Sequence, residues 1–570
     1  MFCSLRVVMP SVVFVAAVLG RNDLGAQGGQ PSLTAGVVRD IVSGDAHEYE
    51  VRATAGDLVS GVMELRNVAA LLETRDAAGA LVSRIYFPDP APSQQRRVGF
   101  VADATGTYRV SIKAADGFEG GTQIKPAPMV PVTGQRRGSY TLGLAASGVA
   151  DRMRDITVPV TVNYPSPRLG QLAREIERGQ RDALAAFWRE VEGKGPLVEA
   201  IEGNDRELDV TFLWREHYET RNVLLLWSMG ARRPNDYYFS KLPSTDVWYK
   251  TLRLRRDSRL LYTLSPNDRP GDRVLTRRID PLHARVYPDD PTYSFVLESV
   301  VELPDAPDQS WALRSAPAKG TVIEQRFISE LLKNEREIWI YTPPGYNAAS
   351  GPYPFVLLFD GAAYVSPRFL NAPGTLDNLI AAGRIRPAIV CFLDPVDRET
   401  EQAFGGAGAY GDAIVRELMP MLRTKYAITT AARDMVVGGF SNGGLAAALV
   451  ALNHPMVFGN VLAQSGGFRA PAPGSAEPNS ISKMFLESSR VPVRFYLEVG
   501  SYDNVQAGAQ PLHELVLDET NLMGNRHFRD VLRAKGYDVM YREMGAGHDM
   551  LHWRAMLADG LMALLPAQPN

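Results

Sequence analysis

Between Asp434 and Ala448 the chain reads Asp-Met-Val-Val-Gly-Gly-Phe-Ser-Asn-Gly-Gly-Leu-Ala-Ala-Ala, an apolar run that meets Ser441 among glycines and then becomes Ala-rich. The pattern predicts a strand, a sharp turn and a helix. Gly439, Ser441 and Gly443 supply a G-x-S-x-G spacing. In such a turn the glycines let the strand and helix backbones pass close together, and the serine is held in a strained conformation at the top of a parallel sheet. The pentapeptide alone is a weak signal in a chain with 50 glycines. Its context makes it strong, because no other stretch fits and this one has the preceding strand and following helix that the geometry needs. Ser441 is the candidate nucleophile.

A chain of 570 residues is too long for one hydrophobic core, and roughly three or four domains are expected. With 61 Lys+Arg against 64 Asp+Glu the net charge is −3, which points neither to a nucleic-acid surface nor to an acidic tail. Residues 1–26 carry Arg6, the apolar stretch Val7 to Gly20 and then Leu24-Gly25-Ala26, and read as a secretory signal peptide cut near Ala26. Arg21 and Asp23 close to the cut depart from that pattern. The apolar run is too short to span a bilayer and contains Pro10, and no other segment is long and apolar enough. A periplasmic or secreted protein is expected. Cys3 leaves with the signal and Cys391 sits in an apolar run, so one buried thiol and no internal disulfide are expected.

Residues 32–145 read as all-β: short alternating runs such as His47–Arg52 and Thr107–Ile112 are separated by Gly, Asp and Pro turns. Gly106-Thr107-Tyr108 and the closing Gly138-Ser139-Tyr140-Thr141-Leu142-Gly143-Leu144 resemble the pre-peptidase C-terminal-type β-sandwich, an accessory module. A linker with Pro159, Pro165 and Pro167 leads to two amphipathic helices, Arg168–Ile176 and Ala183–Val191. Strand-like runs follow at Asp209–Arg215, Asn222–Trp227, Thr245–Lys250 and Leu260–Leu264, and predict a second sandwich of immunoglobulin type over residues 168–310.

From 319 to 567 strands alternate with helices. The expected strands are Val322–Ile328, Glu337–Tyr341, Phe355–Phe359, Ala388–Leu393, Met435–Phe440, Val461–Gln464, Val493–Val499 and Val539–Glu543. Helices are expected at Gly408–Tyr426, Leu445–Leu452, Asn521–Lys535 and Met550–Leu565. Antiparallel first strands followed by βα units predict an α/β-hydrolase, a mostly parallel sheet with flanking helices, preceded by two β-sandwich domains. Right-handed crossovers bring the C-terminal ends of the parallel strands to one edge, where the chemistry belongs.

Within that fold the partners follow in the order serine, acid, histidine. Of eight histidines, His548 and His552 lie beyond the last strand. His548, in Gly545-Ala546-Gly547-His548, is the expected base, because glycines allow that loop to fold back over the sheet edge; His552 is the fallback. The acid is expected in the loop after the penultimate strand, where Asp503 is preferred to Glu498. The oxyanion donors are expected to be the N–H of Asn442 and that of Ala362, with Gly361 and Ala363 one position either side.

Phe187-Trp188, Val210-Thr211-Phe212-Leu213-Trp214-Arg215, Thr245-Asp246-Val247-Trp248-Tyr249 and Asp280-Pro281-Leu282 occur in an order that resembles the N-terminal domain of the enterochelin (enterobactin) esterases. Matching segments continue over about residues 170–565. Gly500-Ser501-Tyr502-Asp503 is similar to the family's Gly-x-x-acid loop, and Leu393–Glu401 matches a family signature. Ser441, His548 and Asp503 predict a serine esterase working through an acyl-enzyme, with no metal or other cofactor required, residues 1–26 predict its export, and the resemblance implies that its substrate is a catecholate siderophore whose lactone is opened. Arg398 and Tyr364 are then candidate contacts to an anionic, aromatic ester, a salt-bridged loop being the alternative for Arg398. Arg232-Arg233 is the most suggestive charged pair of the preceding domain, with a solvated loop as its favoured reading. A carbohydrate or feruloyl esterase on the same fold is the rival reading, and a non-catalytic ligand-binding protein is the rival of another class.

Overall fold

A computed structural model describes Leu33 and residues 36–567, apart from 88–89, 120–129, 133, 158–160, 228–233, 289–296, 405–406, 476 and 504–519. The proposed signal peptide, Arg232-Arg233 and His513 lie outside the described residues.

Eight strands of the C-terminal part form one sheet: β1 Thr321–Ser329, β2 Asn334–Thr342, β3 Phe355–Phe359, β4 Ile389–Leu393, β5 Met435–Phe440, β6 Asn460–Gln464, β7 Arg494–Gly500 and β8 Asp538–Met544. Their order is β1-β2-β4-β3-β5-β6-β7-β8. The pairs β1–β2 and β2–β4 are antiparallel, and every later pair is parallel. This is an α/β-hydrolase-type fold. Every residue of β3, β4, β5 and β6 is buried, as expected of parallel strands covered by helices on both faces.

Alternation sorts the side chains between two cores. Phe355, Leu357, Phe359, Met435 and Val437 face one cluster with Leu445, Leu449, Phe485 and Phe528. Val356, Leu358 and Val436 face another with Leu376, Leu379, Leu557 and Leu561. The first cluster is roofed by α1 Asn442–Asn453 and α2 Asn521–Ala534, the second by α3 Met550–Leu564. The expected helix over Gly408–Tyr426 is interrupted: α-helical turns at Ala407–Ala413 and Met419–Lys425 flank a π-helical segment, Ile414–Leu418. Pro420 cannot donate to the helical ladder and its ring crowds the preceding turn, and a widened π turn relieves that crowding.

The preceding residues form two sheet pairs. Strands Val37–Val42, Arg137–Ser147, Leu58–Arg66 and Gln94–Val101 face strands Ala46–Ala53, Gly106–Ala115, Ala69–Arg75 and Leu81–Phe87 across a common core. Strands Leu197–Ile201, Asn204–Arg215, Val247–Arg255 and Ser240–Lys241 form the next sheet; it shares a core with Val223–Trp227, Arg259–Pro266, Glu298–Glu302 and Val286–Tyr287. Leu261, Tyr287 and Val300 of that second pair continue into the hydrolase core. Helices Pro167–Glu177 and Ala183–Val191 pack on Leu213 and Val247.

Leu357 is fully buried at the centre of β3. Leu357→Ala is expected to cost about 2–5 kcal/mol, the lost transfer energy plus a cavity between packed layers, read as a lowered urea midpoint.

Candidate active site

Ser441 stands at the junction of β5 and α1 with φ 53° and ψ −121°. That conformation costs a non-glycine residue about 1–3 kcal/mol and persists only where the surroundings enforce it. Here its N–H donates to the Gln464 carbonyl at 2.9 Å, and its carbonyl accepts the Gly467 N–H at 2.8 Å. The adjoining glycines are required by closeness. A Cβ on Gly439 would come within 2.8 Å of the Gly443 backbone, and one on Gly444 within 3.0 Å of the Gly466 Cα.

The end of β7 and the loop after β8 bring the acid and the base to the same edge. With its proton on Nδ1, the His548 ring donates to Asp503 Oδ2 at 2.9 Å. Its Nε2 then accepts the Ser441 hydroxyl at 3.0 Å. Asp503 is completely buried, and Asn521 Nδ2 donates to the same Oδ2 at 2.8 Å. Burial opposes its charge, but the His548 ring, reinforced by Asn521 and Ser465, holds its carboxyl below the ordinary carboxylate value. A hydroxyl that can pass its proton to an imidazole held by a buried carboxylate is the geometry of an activated oxygen nucleophile.

The base is held from the side as well. Trp553 meets the His548 ring edge to face, with centroids 5.0 Å apart, and is itself stacked on Phe440 at 4.3 Å. Beneath lies a sealed polar chain. Tyr364 donates to Gln464 Oε1 at 2.8 Å, and Gln464 Nε2 donates to Glu498 at 3.2 Å and to the Trp553 carbonyl at 2.8 Å. Glu498 in turn lies 2.5 Å from His552 Nε2. The fallback base and the weaker acid therefore pair with each other in the core, both at 2 % side-chain exposure or less.

Three expected site residues are corrected by their partners. The Ala362 N–H donates to Asp394 Oδ1 at 2.8 Å and that of Ala363 to the Asp360 carbonyl at 3.1 Å, so neither is directed at a substrate oxygen. Gly361 and Asn442 begin helices, where an N–H has no intrahelical acceptor. Arg398 forms a two-pronged bond at 2.8 and 2.9 Å to the completely buried Asp360 and also reaches the Phe440 carbonyl at 3.3 Å. It braces the strand end before Ser441 in place of facing a ligand. Tyr364 is fully buried with its hydroxyl on Gln464, because the helix Gly361–Val365 turns it under the sheet edge.

The remaining described histidines have local partners: His47 bonds Tyr140, His217 approaches Asp103, His283 bonds the Val300 carbonyl and His454 pairs with Asp412. His527 is exposed on α2. Sequence reasoning missed Asn521, Gln464 and Trp553, whose roles arise where separate strand ends and helices converge. Among the described residues no group of three or more His, Cys, Asp or Glu side chains is placed to hold a metal ion. Among the same residues no helix is long and apolar enough to cross a membrane.

Two family models match in tandem: "Enterochelin esterase, N-terminal" over residues 209–312 and "Putative esterase" over residues 329–564. The chain is 29% identical over 427 residues to an iron(III) enterobactin esterase of Dickeya dadantii, covering 67% of this chain and 92% of that protein. It is 27% identical over 424 residues to an iron(III) salmochelin esterase of Escherichia coli O6:H1, covering 70% and 97%. The crystal structure of a ferric enterobactin esterase from Salmonella typhimurium is 25% identical, covers 67% of this chain and 98% of its own, and superposes with a TM-score of 0.53.

Removing the Arg398 charge leaves Asp360 buried and uncompensated. Arg398→Met is expected to lower stability by about 3–5 kcal/mol and to change KM for neutral and anionic esters alike, as measured by denaturation and steady-state kinetics. His552 yields a pH dependence. Burial works against its charge, but the Glu498 carboxylate outweighs it and raises the imidazole above its ordinary 6.5. A base raised on folding adds stability that is full below its unfolded value and is lost as pH rises through the folded one. The thermal midpoint should therefore fall as pH rises from 6.5 through that value, and Glu498→Gln should flatten the profile.

Proposed function

The chain belongs to the enterochelin esterase family and is a carboxylic-ester hydrolase, and on that premise we propose that it hydrolyses the ester bonds of a catecholate siderophore. The observation that carries the mechanism is the unbroken hydrogen-bond line Asp503–His548–Ser441 at a strand-to-helix turn. Ser441 Oγ attacks the ester carbonyl while His548 Nε2 takes its proton, and the N–H groups of Asn442 and Gly361 receive the developing oxyanion. The proton then passes to the leaving alkoxide, which gives an acyl-Ser441 ester. Water, deprotonated by His548, attacks that ester and releases the acid and the serine. Asp503 stays ionised throughout and stabilises the imidazolium.

The substrate reading draws on the relatives, which are described as iron(III) enterobactin and salmochelin esterases and align over nearly their whole length. The iron is cargo of the substrate in this scheme. We read residues 1–26 as a signal peptide and the protein as periplasmic or secreted. The two N-terminal sheet pairs are read as β-sandwich domains, the first a pre-peptidase C-terminal-like accessory module.

Mass analysis of products is the direct test: ferric enterobactin should yield its ring-opened and shorter ester products, at a kcat/KM well above that for methyl ferulate. Preference for ferulate would assign a feruloyl esterase instead. Ser441→Ala should abolish turnover of a p-nitrophenyl ester, and Asp503→Asn should lower kcat by about 10⁴-fold; equal turnover by wild type and Ser441→Ala would refute the mechanism.

A further inference from the structure

We propose that the turn Arg255–Arg259 of the preceding domain is a positioning element of the esterase reaction, holding the loops that carry Asp503 and His548 from a single point. The proposal rests on the assignment of those two residues as acid and base.

The turn joins strand Val247–Arg255 of one sheet to strand Arg259–Pro266 of its partner. Each end of it makes one backbone bond to the hydrolase. The Arg255 N–H donates to the Tyr502 hydroxyl at 2.9 Å, and Tyr502 immediately precedes Asp503. The Arg259 N–H donates to the Gly545 carbonyl at 2.9 Å, in the loop that leads to His548. Both contacts are tight. The Tyr502 ring enters the core of the preceding domain, 6.2 Å from that of Trp227. A Cβ on Gly545 would lie 2.4 Å from Ser258 Oγ and 2.8 Å from Asp257 Oδ1.

The turn is itself stiff. The Arg255 guanidinium is held by Asp257 at 2.8 and 2.7 Å, and the Ser258 carbonyl accepts the Leu303 N–H at 2.9 Å. The two hydrolase loops are joined to each other at the same place, Ser501 N–H to Met544 carbonyl at 2.6 Å and Tyr502 N–H to Ala546 carbonyl at 2.9 Å. The sheet determines where β7 and β8 end, but glycines 545 and 547 leave the path to His548 undetermined by local preference. A displacement of about 1 Å in a catalytic group can cost about 10²-fold in rate. A neighbouring domain that pins both loops against one turn supplies the missing constraint.

The test uses the full chain and a p-nitrophenyl ester. Tyr502→Phe deletes one hydroxyl and keeps the ring; Gly545→Ala pushes the base loop off Ser258. Each should lower kcat about tenfold or more, leave KM within about twofold, and slow phosphonylation of Ser441 by a fluorophosphonate in proportion, with the thermal midpoint of Tyr502→Phe nearly unchanged. Wild-type kcat and phosphonylation rate in both variants would overturn the positioning role while leaving the esterase intact. If Gly545→Ala does not fold, Tyr502→Phe decides alone. Failure of the underlying mechanism reads differently, as wild-type turnover that survives Ser441→Ala.

Discussion

The close approach of β5, α1 and the Gly466–Gly467 turn around Ser441 is the constraint on which the site depends. A non-glycine residue at φ 53° is unfavourable by itself. It is held because the Gln464 carbonyl and the Gly467 N–H grip its N–H and its carbonyl and because no Cβ stands at 439 or 444 to push the backbones apart. The strain directs the hydroxyl outward from the sheet edge, where the imidazole of His548 meets it. Local strain at one residue is thus sustained by packing energy spread over two cores.

Polar groups under that edge are arranged so that buried charges have partners. Asp360 is matched by Arg398, Glu401 by Arg336 and Glu498 by His552. Such pairs add little net stability over apolar packing but are costly to break, so they fix geometry. Gln464 shows the consequence: its backbone carbonyl orients Ser441, while its side chain ties Glu498 to α3, which carries Trp553 against His548. Nucleophile, acid strand and the helix that follows the base loop are coupled through one residue.

Much of this was legible in the chain. The strands β3 to β6 announce themselves as continuous apolar runs bounded by turn residues, since a parallel strand is buried on both faces. Chain order singled out Ser441, Asp503 and His548, which the structure brings within hydrogen-bond distance in series. Ala362, Arg398 and Tyr364 were misread for one shared reason. Each stands in a connection at the active edge, Ala362 and Tyr364 in the short helix Gly361–Val365 and Arg398 at the start of Arg398–Glu401, and position there does not say whether a donor, a guanidinium or a phenol turns outward or finds a buried acceptor. The π segment before Pro420 was likewise hidden, because helical periodicity continues across it.

Local patterning by itself determined the hydrolase sheet, the strained turn and the order of the reacting groups, because hydrophobic period and glycine placement act over a few residues and topology then prescribes the edge. Only the tertiary structure decided which polar groups serve the site and which serve the core. That choice depends on contacts between segments remote in sequence: Asn521 on Asp503, Arg398 on Asp360, and Arg255 and Arg259 on Tyr502 and Gly545. Hydrogen-bond capacity is a property of a residue, but the partner that uses it is a property of the fold.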